Sequence, residues 1–184
     1  MPPPISVLFT GGNSGPWRVR TSVAVIGKGL PNARAVAIDE VAVTVAPERG
    51  AAWWLRGTTS NHRYAERAES DALAKVQPPL GRHEATRAAL IPMRKTDAWW
   101  ALAQDERRRI FETDSHHIAL GLKYLPAIAR RLHHGRELGE PFDFLAWFEF
   151  APENEALFDE VLAALRATEE WKYVEREVEI RLER

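Results

Sequence analysis

The 184-residue chain contains no cysteine. That excludes disulfides, zinc–thiolate sites, cysteine-ligated iron–sulfur clusters, covalent c-type haem attachment and a thiol nucleophile. Net charge is nearly absent as well: 25 Lys and Arg against 26 Asp and Glu leave −1. Such a balance creates no field for gathering nucleic acid or an anionic membrane. No apolar run reaches the ~18 residues of a membrane span. The opening MPPPISVLFT lacks the basic and long apolar regions of a signal peptide, so a soluble cytoplasmic protein is the expectation. No His-Glu-x-x-His or Glu-x-x-His pattern occurs, which argues against zinc hydrolysis and di-iron chemistry. GGNSG (11–15) follows a strand-like run but has neither the lysine nor the helix of a phosphate-binding loop, and reads as a tight turn.

Tryptophan, by contrast, is abundant. Seven are present, with Trp53-Trp54 and Trp99-Trp100 as adjacent pairs. Indole rings seek burial with a partner for the N–H. They can fill a core and a dimer interface, or wall a site for a flat aromatic ligand.

Hydrophobic periodicity gives a mixed chain. ISVLFT (5–10), RVRTSVAVI (18–26), RAVAIDEVAVTV (34–45) and WWLRG (53–57) read as strands. Ser60 reads as the N-cap of a helix over 61–76. PPLG (78–81) breaks the chain and marks the expected boundary between units 1–80 and 81–184. AALIPMRK (88–95) and FDFLAWFEFA (142–151) read as strands, and Asp97 as the cap of a short helix carrying Trp99 and Trp100. DERRRIFE (105–112) extends the helical region. Pro152 fits the first position of a helix whose apolar face is Leu157, Phe158, Val161, Leu162 and Leu165. The last strand aligns Val174, Val178, Ile180 and Leu182 on one face. The expected fold is α+β, two ferredoxin-like units of the dimeric α/β-barrel type, with the N-terminal unit shortened.

DSHHIALGLKYLPAIARRL (114–132) carries the chemistry. His116 and His117 lie ~100° apart on a helix, so they cannot share one metal as an i, i+4 pair does. They serve either as surface or capping residues or, singly, as an axial ligand of the haem type. Arg130 is 13 residues beyond His117, about 20 Å away on a straight helix. Pro126 forces a kink or restart, which lets the second segment fold back and bring the guanidinium across from the imidazole. His133 and His134 are expected at that segment's helical end, near its carbonyls. Glu169-Glu170-Trp171 offers carboxylates to orient the imidazole, and Lys95 a neutralising cation.

The runs RHEATRAALIPMRKTDAWW, DERRRIFETDSHHIALGLKYLPAIARRLHHGRELGEPFDFLAWFEF and LRATEEWKYVEREVEIRL closely resemble the short, dimeric lineage of chlorite dismutases. FTGGNSGPW and LRGTTSNHRYAERAE match the same lineage, so the resemblance covers essentially the whole chain. It implies a homodimer with one non-covalent haem b per subunit, held in the C-terminal half. His117 matches the proximal iron ligand, Arg130 the distal arginine, Glu170 the carboxylate on the imidazole and Lys95 a lysine beside it. Trp99 and Trp100 match tryptophans near the haem, and Tyr64 a residue near the subunit or haem surface. The implied activity converts chlorite to chloride and dioxygen, through oxo-iron and a retained hypochlorite-level fragment, with FDFLAWFEF as apolar wall. A non-catalytic haem-binding or sensor protein needs the same ligands. Coprohaem decarboxylases resemble a longer lineage that lacks the arginine, and a haem-free dimeric α/β barrel would leave His117 structural.

Overall fold

A computed structural model describes residues 4–40, 50–59 and 64–184. Eight strands close into a barrel: β1 (Ser6–Gly12), β2 (Trp17–Ile26), β3 (Ala35–Glu40), β4 (Trp53–Thr58), β5 (Arg87–Lys95), β6 (Ile128–His134), β7 (Phe144–Phe150) and β8 (Val174–Glu183). Their order around the barrel is β1-β3-β2-β8-β5-β7-β6-β4, and every neighbouring pair is antiparallel. Read from β4, that order is fourth-first-third-second strand of the first half, and from β8 the same permutation of the second half. Thr58 against His134 closes the ring.

Strand alternation divides the apolar residues into two layers. Phe9, Trp17, Trp53, Leu55, Leu90, Leu145, Trp147, Val178 and Ile180 come from all around the ring and form one buried cluster inside it. Ala89, Ile91, Ala146 and Phe150, one residue out of phase, join a second cluster on the outer face. There they meet the apolar stripe of α5 (Glu155–Arg166), Phe158, Val161, Leu162 and Leu165. Of the face expected on the last strand, Val178, Ile180 and Leu182 enter the interior, whereas Val174 joins the outer layer. The register irregularity between Arg94 and Lys95 on β5, which pairs Lys95 with Val174, accounts for the switch.

The remaining helices are short: α1 (Arg67–Val76), α2 (Asp97–Ala101), α3 (Gln104–Arg108) and α4 (His117–Tyr124), with a π-helical turn over Arg109–Asp114 leading into α4. Two caps differ from expectation. Thr96, not Asp97, caps α2, its side chain accepting from the Trp99 N–H. Helix α1 begins at Arg67, after a capping box of Glu66 and Glu69; the expected cap Ser60 lies outside the described residues. Pro152 opens a 3₁₀ turn, Pro152–Asn154, that runs into α5.

The larger correction concerns the segment after Pro126. Helix α4 stops at Tyr124, as a following proline requires, but the chain then continues as strand β6 rather than a second helix. Ala, Arg and Leu favour helix intrinsically; a complete ladder to β7, from Ile128↔Phe150 to His134↔Phe144, overrides that preference. His133 and His134 are therefore not near helix carbonyls. Both are buried on β6, and His133 Nδ1 lies 3.1 Å from the Leu145 carbonyl.

Candidate haem and oxyanion site

Strand alternation in β6 sends Arg130, Leu132 and His134 to the outer face, and Arg131 and His133 toward the barrel interior. The outer-face residues open onto a cavity enclosing about 950 Å3 of atom-free space, its mouth included. Ile91 and Met93 of β5, Phe144, Ala146 and Phe148 of β7, and Leu162 and Leu165 of α5 supply apolar walls. The expected wall from FDFLAWFEF is thus present.

His117 begins α4 on the rim of this cavity. The preceding His116 adopts a left-handed conformation (φ 52°) and is exposed; the turn it makes lets α4 start at His117. Glu112 steadies the first turn, its carboxylate accepting from the Ile118 N–H at 2.6 Å. Phe111 stacks on the imidazole with ring centroids 4.3 Å apart. His117 Nδ1 sits 2.6 Å from Glu170 Oε2, and Lys95 Nζ donates to Glu170 Oε1 at 2.7 Å. All three line the cavity.

The trio is built from three distant pieces of chain. Lys95 ends β5, its N–H donating to Asp143 and its ammonium lying 4.7 Å from the Trp99 ring centroid. Glu170 sits in a 3₁₀ turn before β8, where its N–H donates to Ser115 Oγ at 2.9 Å. Burial by itself would raise the Glu170 carboxyl, but the imidazole and the ammonium overcome it and hold the group down at about 2. Glu170 is therefore a carboxylate at neutral pH. It accepts from Nδ1–H of His117, leaving Nε2 as the nitrogen with a lone pair for coordination. Neighbouring Glu169 is spent on Lys172 at the surface.

Arg130 is the electrostatic counterweight. Its Nε is sealed from solvent without a hydrogen-bond partner, burial disfavours its charge, and no carboxylate among the described residues pairs with it. Gln77, at the end of α1, holds the strand at this point by donating to the Arg130 carbonyl at 2.9 Å. A buried cation facing a cavity, with no carboxylate beside it, makes the potential there favourable to an anion.

Of the two expected tryptophans, Trp99 lines the cavity, its Nε1 buried and unpartnered. Trp100 does not. It lies between Phe144, at 6.0 Å, and the Arg136 guanidinium, at 4.1 Å, with Nε1 donating to Asp143. Tyr64 lines the cavity, its hydroxyl accepting from Arg107 and its ring edge-on to Trp99. Sequence reasoning missed Phe111, Ser115, Asp143 and Gln77. Phe111 and Ser115 are six and two residues before His117 and carried a positional signal; Asp143 and Gln77 carried none.

These residues suit an iron macrocycle. They provide one imidazole backed by a carboxylate, a deep apolar space, and two unpartnered buried donors in Arg130 Nε and Trp99 Nε1. No group of three or more His, Asp or Glu side chains among the described residues is placed to hold a bare metal ion. A metal held by His117 would have to arrive with further ligands of its own.

Residues 42–182 match the family model of chlorite dismutase. The chain is similar to the dimeric chlorite dismutases from Nitrobacter winogradskyi, with 58% identity, a TM-score of 0.89, and coverage of 97% of this chain and 99% of that one. It also matches a mutant chlorite dismutase from Candidatus Nitrospira defluvii in complex with cyanide, at 16% identity and TM-score 0.70, over 98% and 91% of the two chains. The enzyme from the same source in complex with imidazole gives 16% and 0.69 over the same shares. At that identity these two speak for the fold alone. No curated protein matches the sequence.

Proposed function

The chain belongs to the chlorite dismutase family, and we propose that it converts chlorite to chloride and dioxygen using one haem b per subunit. The observation that carries this reading is the pairing, in one apolar cavity, of a carboxylate-backed imidazole, His117, with a buried cation, Arg130, that has no counter-ion among the described residues.

His117 would hold the haem iron through Nε2, and Trp99, Phe144, Phe148 and Leu165 would pack the macrocycle. When bound, haem would supply the redox-active iron on which chlorite reacts. The Glu170 carboxylate makes the imidazole a stronger donor by accepting from Nδ1–H. Lys95 keeps that carboxylate charged inside the protein. Arg130 would attract chlorite and keep the chlorine-bearing anion within the cavity. Two unit charges about 4 Å apart attract by about 4 kcal/mol at an effective dielectric of about 20. Apolar walls keep competing water out.

Each half of the chain, 1–80 and 81–184, is read as a ferredoxin-like unit, supported by the repeated strand permutation. The short turn between β1 and β2, where the second half carries helices, makes the first unit the shorter one. The dimeric state of the 58% identical relative supports a homodimer. No helix among the described residues is long and apolar enough to cross a membrane.

The test is chlorite addition to haem-reconstituted protein at an oxygen electrode. One dioxygen per chlorite, with sustained turnover, is expected. A haem-loaded protein that releases none would overturn the assignment in favour of a non-catalytic haem protein.

A further inference from the structure

We infer that Gly121 is a cofactor-clearance residue: the side chain it lacks leaves the room in which the uncharged edge of the haem seats. This rests on the haem reading above. Gly121 lies one turn beyond His117, at i+4, and so on the same face of α4. Neither usual reason for a glycine applies there. Its φ is not in the left-handed range, and among the described residues no neighbouring segment approaches closely, since a Cβ built on it meets nothing within 4 Å. Gly57 shows the contrast, because its Cβ would strike His133 Cβ at 2.6 Å. Glycine within a helix also costs about 1 kcal/mol against alanine. An interior helical glycine without a backbone requirement, on the ligand-bearing face, points to space that must stay empty of protein.

That space is defined. Gly121 opens on a slot shared with His117 and Arg130 and walled by Leu125, Ile128, Phe148 and Leu165. The first cavity contains His117, Arg130, Phe148 and Leu165 as well, so the slot continues it along α4. Tyr124, also on its wall, turns its hydroxyl to Glu160 at 2.7 Å. Among the described residues Arg130 is the one cation on the slot. A macrocycle edge bearing a carboxylate would therefore have only the anion-binding arginine to pair with, whereas an edge bearing methyl and vinyl groups matches the walls.

The experiment titrates apo-protein with haem b and with iron deuteroporphyrin, which has hydrogens where haem b has two vinyl groups. Soret absorbance and quenching of tryptophan fluorescence report binding, and apo-protein melting reports the fold. For Gly121→Leu, haem b affinity should drop about ten- to one-hundred-fold, as for a side chain forced into occupied space, while the apo-protein melts no lower than wild type. Gly121→Ala should show a smaller loss, and iron deuteroporphyrin should recover part of it. Unchanged haem b affinity in Gly121→Leu, or an equal loss for both porphyrins, would overturn the inference. If the wild-type protein itself gave no Soret band, the haem reading would fail instead.

Discussion

His117 Nδ1 and Glu170 Oε2 stand 2.6 Å apart, and Lys95 Nζ closes the other oxygen of the same carboxylate at 2.7 Å. The His117 imidazole is thereby fixed in tautomer and orientation by the protein alone. Replacing Glu170 by Gln removes the charge but keeps the shape. Haem affinity should fall about ten- to one-hundred-fold, measured by transfer of haem to apomyoglobin, and the ferrous iron–histidine stretch should move to lower frequency in resonance Raman spectra.

Arg130 has no counter-ion among the described residues, so its buried charge costs stability in the apo-protein. Arg130→Leu should raise the melting temperature of the apo-protein and leave haem affinity near wild type. Chlorite turnover should fall about a hundred-fold or more, on the scale of losing one preorganised electrostatic stabiliser, and the Soret band should bleach earlier during turnover. Normal turnover and lifetime would contradict the retention role.

Lys95 is 3% exposed and its partner Glu170 5%. Lys95→Met leaves the carboxylate buried without its cation. Such a break costs about 3–5 kcal/mol, to be read from guanidinium unfolding of the apo-protein. Glu170→Gln combined with Lys95→Met should cost less than the sum of the two, because the pair is removed together.

Acid should weaken the apo-protein in two windows. Burial, aided by nearby Arg131 and His134 and opposed by the Leu145 carbonyl, pushes His133 down from 6.5 to about 4. The unfolded chain therefore takes up this proton first, and stability falls as pH drops from 6.5 to 4. Glu170, held at about 2 against an ordinary 4.5, contributes stability that is complete above pH 4.5 and lost as pH falls toward 2. His133→Phe should flatten the upper slope and Glu170→Gln the lower, in denaturation curves taken across pH.

The strands of the barrel were legible where their composition agreed with their pairing: AALIPMRK and FDFLAWFEFA carry β-branched, aromatic and apolar residues in runs. Strand β6 was not, because Ala129, Arg130, Arg131 and Leu132 are helix formers locally, and only long-range pairing with β7 decides their state. The break at Pro126 was readable from backbone sterics. His117, Lys95, Arg130 and the Glu169-Glu170 pair could be offered as candidates from residue type, but the choice of Glu170 came only by resemblance, since 75 residues separate Lys95 from Glu170 and no periodicity links them. Trp100 shows the reverse case. Its neighbour Trp99 turns to the cavity, and 100° of helical rotation commits Trp100 to Asp143 instead.

Haem titration of wild-type and His117→Ala apo-protein, followed by absorbance, separates a ligating imidazole from a bystander. Wild type should saturate at one haem per chain with a sharp Soret band, and His117→Ala should lose tight binding while the apo-protein still folds. An alanine variant that takes up haem with the wild-type affinity and spectrum would show that the iron is held elsewhere.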